Sequence, residues 1–115
     1  MEYNKIIELG HLDGLSSFLH ETAVEKGFWN NEVDVNFVLS KLALVHSEVS
    51  EVLEAVRKSM GEEVVVEEMA DIIIRLLDLY AGMVDAGMVE TSIDDALAKK
   101  IEKNKSRPHM HGVLA

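Results

Sequence analysis

The sequence predicts an all-α fold, an antiparallel four-helix bundle, and three observations carry that prediction. Apolar residues, 48% of the 115, recur at three- and four-residue intervals, the spacing of a helix face. The one proline, Pro108, lies near the end of the chain, so no proline interrupts the helices before it. Residues 64–84 are apolar nearly all round, the pattern of a helix that needs cover on several sides. A chain of this length holds one core and not two. Residues 1–115 therefore read as a single domain with a basic, partly flexible tail from about 104.

The elements follow in order. Residues 1–12 carry Ile6, Ile7 and Leu9, but Gly10 and Gly14 weaken a helix there. From Asp13 or Ser16 to Lys26, Leu15, Phe18, Leu19, Thr22 and Ala23 share one side, with Ser16 or Ser17 as the cap and Gly27 as the stop. The loop GFWNNEVD follows, holding the single tryptophan. It is either a hydrophobic plug over the bundle end or a wall for a flat ring. Asp34 or Asn36 opens a second helix that runs to about Met60. On it Leu39, Leu42, His46, Val49, Leu53, Val56 and Met60 form a 3–4 ladder that reads as the bundle seam. His46, placed on this ladder, reads first as a hydrogen-bonded core histidine. Gly61 breaks the chain into a tight connection, which makes the second and third helices antiparallel neighbours. The third helix runs from about Glu63 to Asp85, stops at Gly87, and contains Gly82, a position suited to close packing. Thr91 or Ser92 caps the fourth, with Asp94 and Asp95 in its first turn and Ile93, Leu97, Lys100, Ile101 and Asn104 on one side. Pro108 ends it, and His109 and His111 fall in the tail.

Composition excludes several classes of function. No apolar run approaches the ~20 residues of a membrane span, and the acidic start lacks the basic lead of a signal peptide. With no cysteine there is no disulfide framework and no thiolate chemistry, and the expected location is the cytoplasm. The net charge is −10, from 21 acids against 11 bases, a field that repels nucleic acid and anionic membrane. That charge is uneven: Lys99, Lys100, Lys103, Lys105 and Arg107 crowd into one short segment.

The chemistry concentrates between His46 and Asp78. Glu48 pairs with Glu51, and Glu68 with Asp71, each pair one helical turn apart and able to present two carboxylates to one point. Leu44, Val45, Val52, Ala55 and Lys41 lie on the flank of the first pair, whereas Ser47, Ser50, Glu54, Arg57 and Lys58 face solvent. The third helix gathers its polar residues, Glu67, Glu68, Asp71, Arg75 and Asp78, into one stripe. Buried carboxylates need a partner, a proton or a metal. Four acids facing each other across two helices therefore read as a divalent-cation site. Hard oxygen donors suit Mg²⁺ or Mn²⁺ rather than zinc. A di-iron bundle wants Glu-x-x-His on two helices, and this chain has it once, at Glu8 and His11, which argues against that class; no glycine-framed serine offers a nucleophile. Lys41 is a candidate phosphate contact, and a metal-bound polyphosphate accounts for both the acidic middle and the basic segment.

Residues 46–71, with ExxE at Glu48 and Glu51, sixteen residues between, then ExxD at Glu68 and Asp71, resemble the all-α nucleoside triphosphate pyrophosphohydrolases, the MazG-like proteins related to dimeric dUTPases and dCTP pyrophosphatases. KIEKNKSRP is similar to the Lys-x-x-x-Asn-x-x-Arg element of that group, and VEKGFW and RPHMHG to stretches of small phage and bacterial members. The resemblance spans about residues 18–112. It implies Mg²⁺-dependent hydrolysis of a nucleoside triphosphate between the α and β phosphates, a housecleaning activity on the nucleotide pool. By the same resemblance Glu48, Glu51, Glu68 and Asp71 hold the metal, and Lys100, Asn104 and Arg107 contact the phosphates. Glu51 is the candidate that orients or deprotonates water, and Trp29 and Phe28 are candidate walls of a base pocket. Glu67, Arg75 and Asp78 are further candidates, with a supporting ion-pair network as their alternative role. The dCTP-type relatives place an aromatic residue one turn after the ExxD acid, where this chain has Arg75, so base preference stays open. Surplus apolar surface on the third helix, together with the resemblance, implies a homodimer or homotetramer. Two readings of other classes stand beside this one: a histidine phosphotransfer domain using His46, and a bundle that serves only as an interaction module.

Overall fold

The computed structural model describes residues 11–108, and Ile6, Ile7, Leu9, His109 and His111 lie outside them. Among the described residues there are four helices and no strand: α1 (Leu12–Glu25), α2 (Val35–Arg57), α3 (Glu62–Asp85) and α4 (Ile93–Lys105). The fold is all-α. None of these helices is long and apolar enough to cross a membrane. α3 is the central rod, packed against α2 along one side and α1 along another, while α4 is held chiefly against α1.

Two helix starts are built jointly rather than locally. α1 begins at Leu12, one residue before the Asp13 start that the sequence allows, and its cap is the His11 ring, accepting from the Gly14 N–H at 3.0 Å, rather than Ser16 or Ser17. Ser16 is buried inside the helix and donates its hydroxyl to Asp13 O at 2.8 Å. The earlier start has a tertiary cause: the Asp94 carboxylate of α4 accepts from the backbone N–H groups of Leu12 and Asp13, at 2.8 and 2.9 Å. The exchange is mutual. Asp13 accepts from Ile93 N at 3.0 Å, from the Ser92 hydroxyl and from the Tyr80 hydroxyl at 3.2 Å. Each helix thus sends a carboxylate to the positive end of the other.

These bonds, the Ser92 hydroxyl first, hold the Asp13 carboxyl below its usual 3.8 even though burial opposes them. A depressed folded pKa means the stabilisation is complete above the unfolded value and fades as pH falls through the folded one. Asp13→Asn is therefore expected to cost about 1–2 kcal/mol at neutral pH. The gap from wild type should close in acid, as urea unfolding at the two pH values will read. A constant gap would mean that the charge contributes nothing.

α1 ends as expected at Gly27, whose φ of +84° lets Gly27 N reach Val24 O and Phe28 N reach Ala23 O. Asp34 caps α2 by accepting from Phe37 N at 2.8 Å, and Ser92 caps α4 by accepting from Asp95 N at 3.2 Å. α2 ends at Arg57 rather than near Met60. Ser59 takes the left-handed position, φ +50°, and Met60 N turns back to Ala55 O, so the reversal precedes Gly61.

The largest correction concerns packing. The ladder from Leu39 to Met60 is not the seam within the chain. Leu39, Leu42, Val49, Leu53, Val56 and Met60 are all exposed, and so is His46. α2 is covered instead along Val38, Val45, Glu48, Val52 and Ala55. Two apolar stripes lie side by side on this helix, and periodicity cannot say which one meets α3. α3 departs from expectation in the same way. Leu77, Leu79, Ala81 and Gly82 are buried, but Met69, Ile73, Ile74 and Leu76 are about half exposed. An apolar groove of about 840 Å³ opens between α4 and the α2–α3 pair, lined in part by Leu42, Ile73, Leu76, Met83, Ile93 and Leu97.

Candidate metal centre

The covered stripe of α2 carries one acid, Glu48, into the seam with α3. Opposite it, Glu68 and Asp71 stand one turn apart on the polar stripe of α3. One carboxylate oxygen from each of Glu48, Glu68 and Asp71 lies within 4.8 Å of the other two, and all three side chains are half-buried. Glu48 Oε2 and Glu68 Oε2 are buried and have no hydrogen-bond partner among the described residues. Orphaned buried oxygens are rare, because each pays the full cost of leaving water. Burial raises the Glu48 carboxyl above the ordinary carboxylate range, and Glu51 beside it raises it further. Arg75, whose Nε donates to Glu48 Oε1 at 2.9 Å, offsets this only in part. The donor set is all oxygen, from two rigid helices, with spare lone pairs pointing inward. These residues fit a hard divalent cation.

Glu51 is exposed and is not one of the three converging acids. It stands beside Glu48 and lines, with Glu68, Ser47, Ser50 and Val64, a cleft of about 390 Å³ between α2 and the start of α3. Glu67 is exposed.

Asp78, two turns beyond Asp71, is committed elsewhere. It accepts from Trp29 Nε1 at 2.9 and 3.1 Å and from His20 Nδ1 at 2.9 Å. Trp29 is similarly engaged. Its ring lies over Gly82, meets His20 edge-on at 4.6 Å and Phe37 at 5.2 Å, and has Lys41 Nζ 5.0 Å from its centroid. Lys41 also donates to Phe28 O at 3.3 Å. The Phe28 ring, 61% exposed, is the freer of the two aromatic candidates. Lys100, Asn104 and Arg107 are exposed on or just after α4. No hydrogen bond or ion pair joins the side chain of Lys100 or of Asn104 to a described residue.

The core histidine is His20 and not His46, the one the apolar ladder points to. His20 is 8% exposed, and its Nε2 lies 3.7 Å from Asp85. The available signal was its register: His20 falls one turn after Ser16 and beside Leu19 and Ala23 on the inward side of α1.

Residues 38–111 match the family model described as the MazG nucleotide pyrophosphohydrolase domain, a span that covers more than half the chain and contains Glu48, Glu51, Glu68 and Asp71. No curated protein and no solved structure matches the chain.

Proposed function

The chain belongs to the MazG nucleotide pyrophosphohydrolase family, and from that premise we propose that it is a metal-dependent hydrolase of a nucleoside triphosphate. Water adds to the α-phosphorus, the bond from that phosphorus to the α–β bridging oxygen breaks, and monophosphate and pyrophosphate leave. The observation that carries this reading is the pair of buried, unpartnered oxygens, Glu48 Oε2 and Glu68 Oε2, which converge with Asp71 from two different helices. A site of this donor set takes Mg²⁺, with Mn²⁺ as the alternative. When bound, such an ion neutralises the approaching phosphates and polarises the phosphoryl group.

The chain's own residues do the rest. Glu48, Glu68 and Asp71 hold the cation. Glu51, exposed at the edge of the cleft, accepts a proton from the attacking water. Lys100, Asn104, Arg107 and Lys41 are assigned to the phosphates, where cationic groups stabilise the charge that develops on leaving pyrophosphate. Phe28 and Trp29 flank the base, Phe28 with its face and Trp29 with what its packing leaves open. The activity is placed in the cytoplasm, where its substrates are, and the chain's net charge of −10 sets it against nucleic-acid and membrane partners.

The second partner is another copy of the chain, as homodimer or homotetramer. Its support is the outward ladder of α2 continued by Met69, Ile73, Ile74 and Leu76 on α3, an apolar area of the kind that monomers rarely leave in water. Leu53→Asp should shift the sedimentation coefficient toward that of one chain, and a wild type already monomeric at micromolar concentration would refute the assembly.

The deciding assay incubates the protein and Mg²⁺ with the standard ribo- and deoxyribonucleoside triphosphates, and measures pyrophosphate separately from orthophosphate. Pyrophosphate release from at least one nucleotide is the expected result. Orthophosphate alone, or no turnover, contradicts α–β cleavage.

A further inference from the structure

Arg75 stands one turn beyond Asp71 on α3 and reaches across the seam to α2. Its Nε donates to Glu48 Oε1 at 2.9 Å, with the two side chains 45% and 13% exposed. The bond uses one oxygen of the carboxylate and leaves the other, Oε2, buried and without a partner. Nothing else among the described residues bonds the Arg75 guanidinium. In charge, Glu48, Glu51, Glu68 and Asp71 face one guanidinium. One guanidinium is too little to neutralise four carboxylates.

We infer that Arg75 is a positioning residue of the metal centre: it pins Glu48 through Oε1, so that Oε2 alone is presented to a divalent cation beside Glu68 and Asp71. The inference rests on the metal reading given above. A glutamate side chain has several rotatable bonds, and both burial and the neighbouring Glu51 favour its swinging out to water. Arg75 opposes that escape. Its planar fork directs Nε along a fixed line, whereas a lysine ammonium is a hydrated point charge on a flexible stem.

The guanidinium also repels an incoming cation, so two effects of opposite sign compete. Arg75 is nearly half exposed, and at physiological salt its field is screened over about 8 Å. The carboxylate it orients is largely buried, where geometry is not screened. Orientation therefore outweighs repulsion. Residues that hold a metal ligand from behind typically contribute about 10–100-fold in affinity.

The test is calorimetric titration of Mn²⁺ into the full chain without nucleotide, at physiological salt. Arg75→Ala should bind the ion about 10–100-fold more weakly. Millimolar guanidinium should restore part of that loss, which a purely structural defect would not allow. Arg75→Lys, which keeps the charge and is the milder change for folding, should also bind more weakly than wild type. Arg57→Ala, which removes only a surface pair with Glu54, should match wild type. Unchanged or tighter binding in Arg75→Ala, or wild-type binding in Arg75→Lys, overturns the inference while leaving the metal site standing. If wild type itself takes up neither Mn²⁺ nor Mg²⁺, the metal reading falls and this inference falls with it.

Discussion

Glu68→Gln is expected to abolish Mg²⁺-dependent pyrophosphate release and yet to melt no lower than wild type when both are free of metal. The reason lies in one atom. Glu68 Oε2 is buried with no hydrogen-bond partner among the described residues, so in the metal-free protein the carboxylate is a cost and not a support. Leaving a buried polar group unsatisfied costs about 1–3 kcal/mol, and more when it is charged. A neutral amide of nearly the same shape removes the charge and can donate to Glu48 or Asp71 alongside it. Losing an outer residue behind a metal ligand costs about 10–100-fold, so losing the ligand itself should exceed a hundredfold. The second readout is the melting temperature with and without Mg²⁺. Ligand at a hundred times its dissociation constant stabilises by about 2.7 kcal/mol, and Glu68→Gln should lose most of that gain. A metal-free variant that melts several degrees lower than wild type would show that the carboxylate holds the fold together, and the functional reading would fail at its base.

Gly82→Ala should destabilise by up to about 2 kcal/mol, against the usual sign for a glycine within a helix. Replacing an interior helical glycine with alanine ordinarily gains about 1 kcal/mol. Here the new Cβ would stand 2.6 Å from Cζ3 and 2.7 Å from Cζ2 of Trp29, and closer still to Cη2. The indole cannot swing aside cheaply. Its Nε1 is held by both oxygens of Asp78, and its ring is wedged between His20 and Phe37. Overpacking of this kind costs about 1–3 kcal/mol and occasionally more, which exceeds the gain in propensity. A double-mutant cycle isolates the contact. Trp29→Ala alone should cost about 3–5 kcal/mol, and in that background Gly82→Ala should become stabilising. If the two changes simply add, the proximity of ring and glycine is not what makes position 82 sensitive.

Both predictions come from side chains whose type was plain in the sequence and whose partners were not. The pairing of Glu68 with Asp71 was legible, because a one-turn interval dictates which oxygens share a helix face. Glu51 shows the limit of that rule. It shares the turn with Glu48, but a few tens of degrees of rotation about α2 leave it exposed at the mouth of the cleft. Arg75 was visible as the single base in an acidic stripe, and only the crossing of α2 over α3 made Glu48 its partner. Periodicity points to the wrong histidine. His46 sits on a regular ladder that turned out to face water, and His20 sits among smaller residues that turned out to be inside.

What the amino-acid order determined by itself was everything governed by neighbours within a turn or two. This includes the helical class, the stops at Gly27 and Gly87, the caps to within two candidates each, Asp34 or Asn36 and Thr91 or Ser92, and the shared face of Glu68 and Asp71. Those outcomes depend on local backbone sterics and on hydrogen bonds that close over three to five residues. The tertiary structure alone decided which of two adjacent apolar stripes on α2 meets α3. It also decided that Asp13 and Asp94 exchange ends between α1 and α4, and that Trp29 fills the place left by the missing side chain at Gly82. Burial is non-directional and rewards either stripe equally, so only the mutual fit of whole helices selects between them.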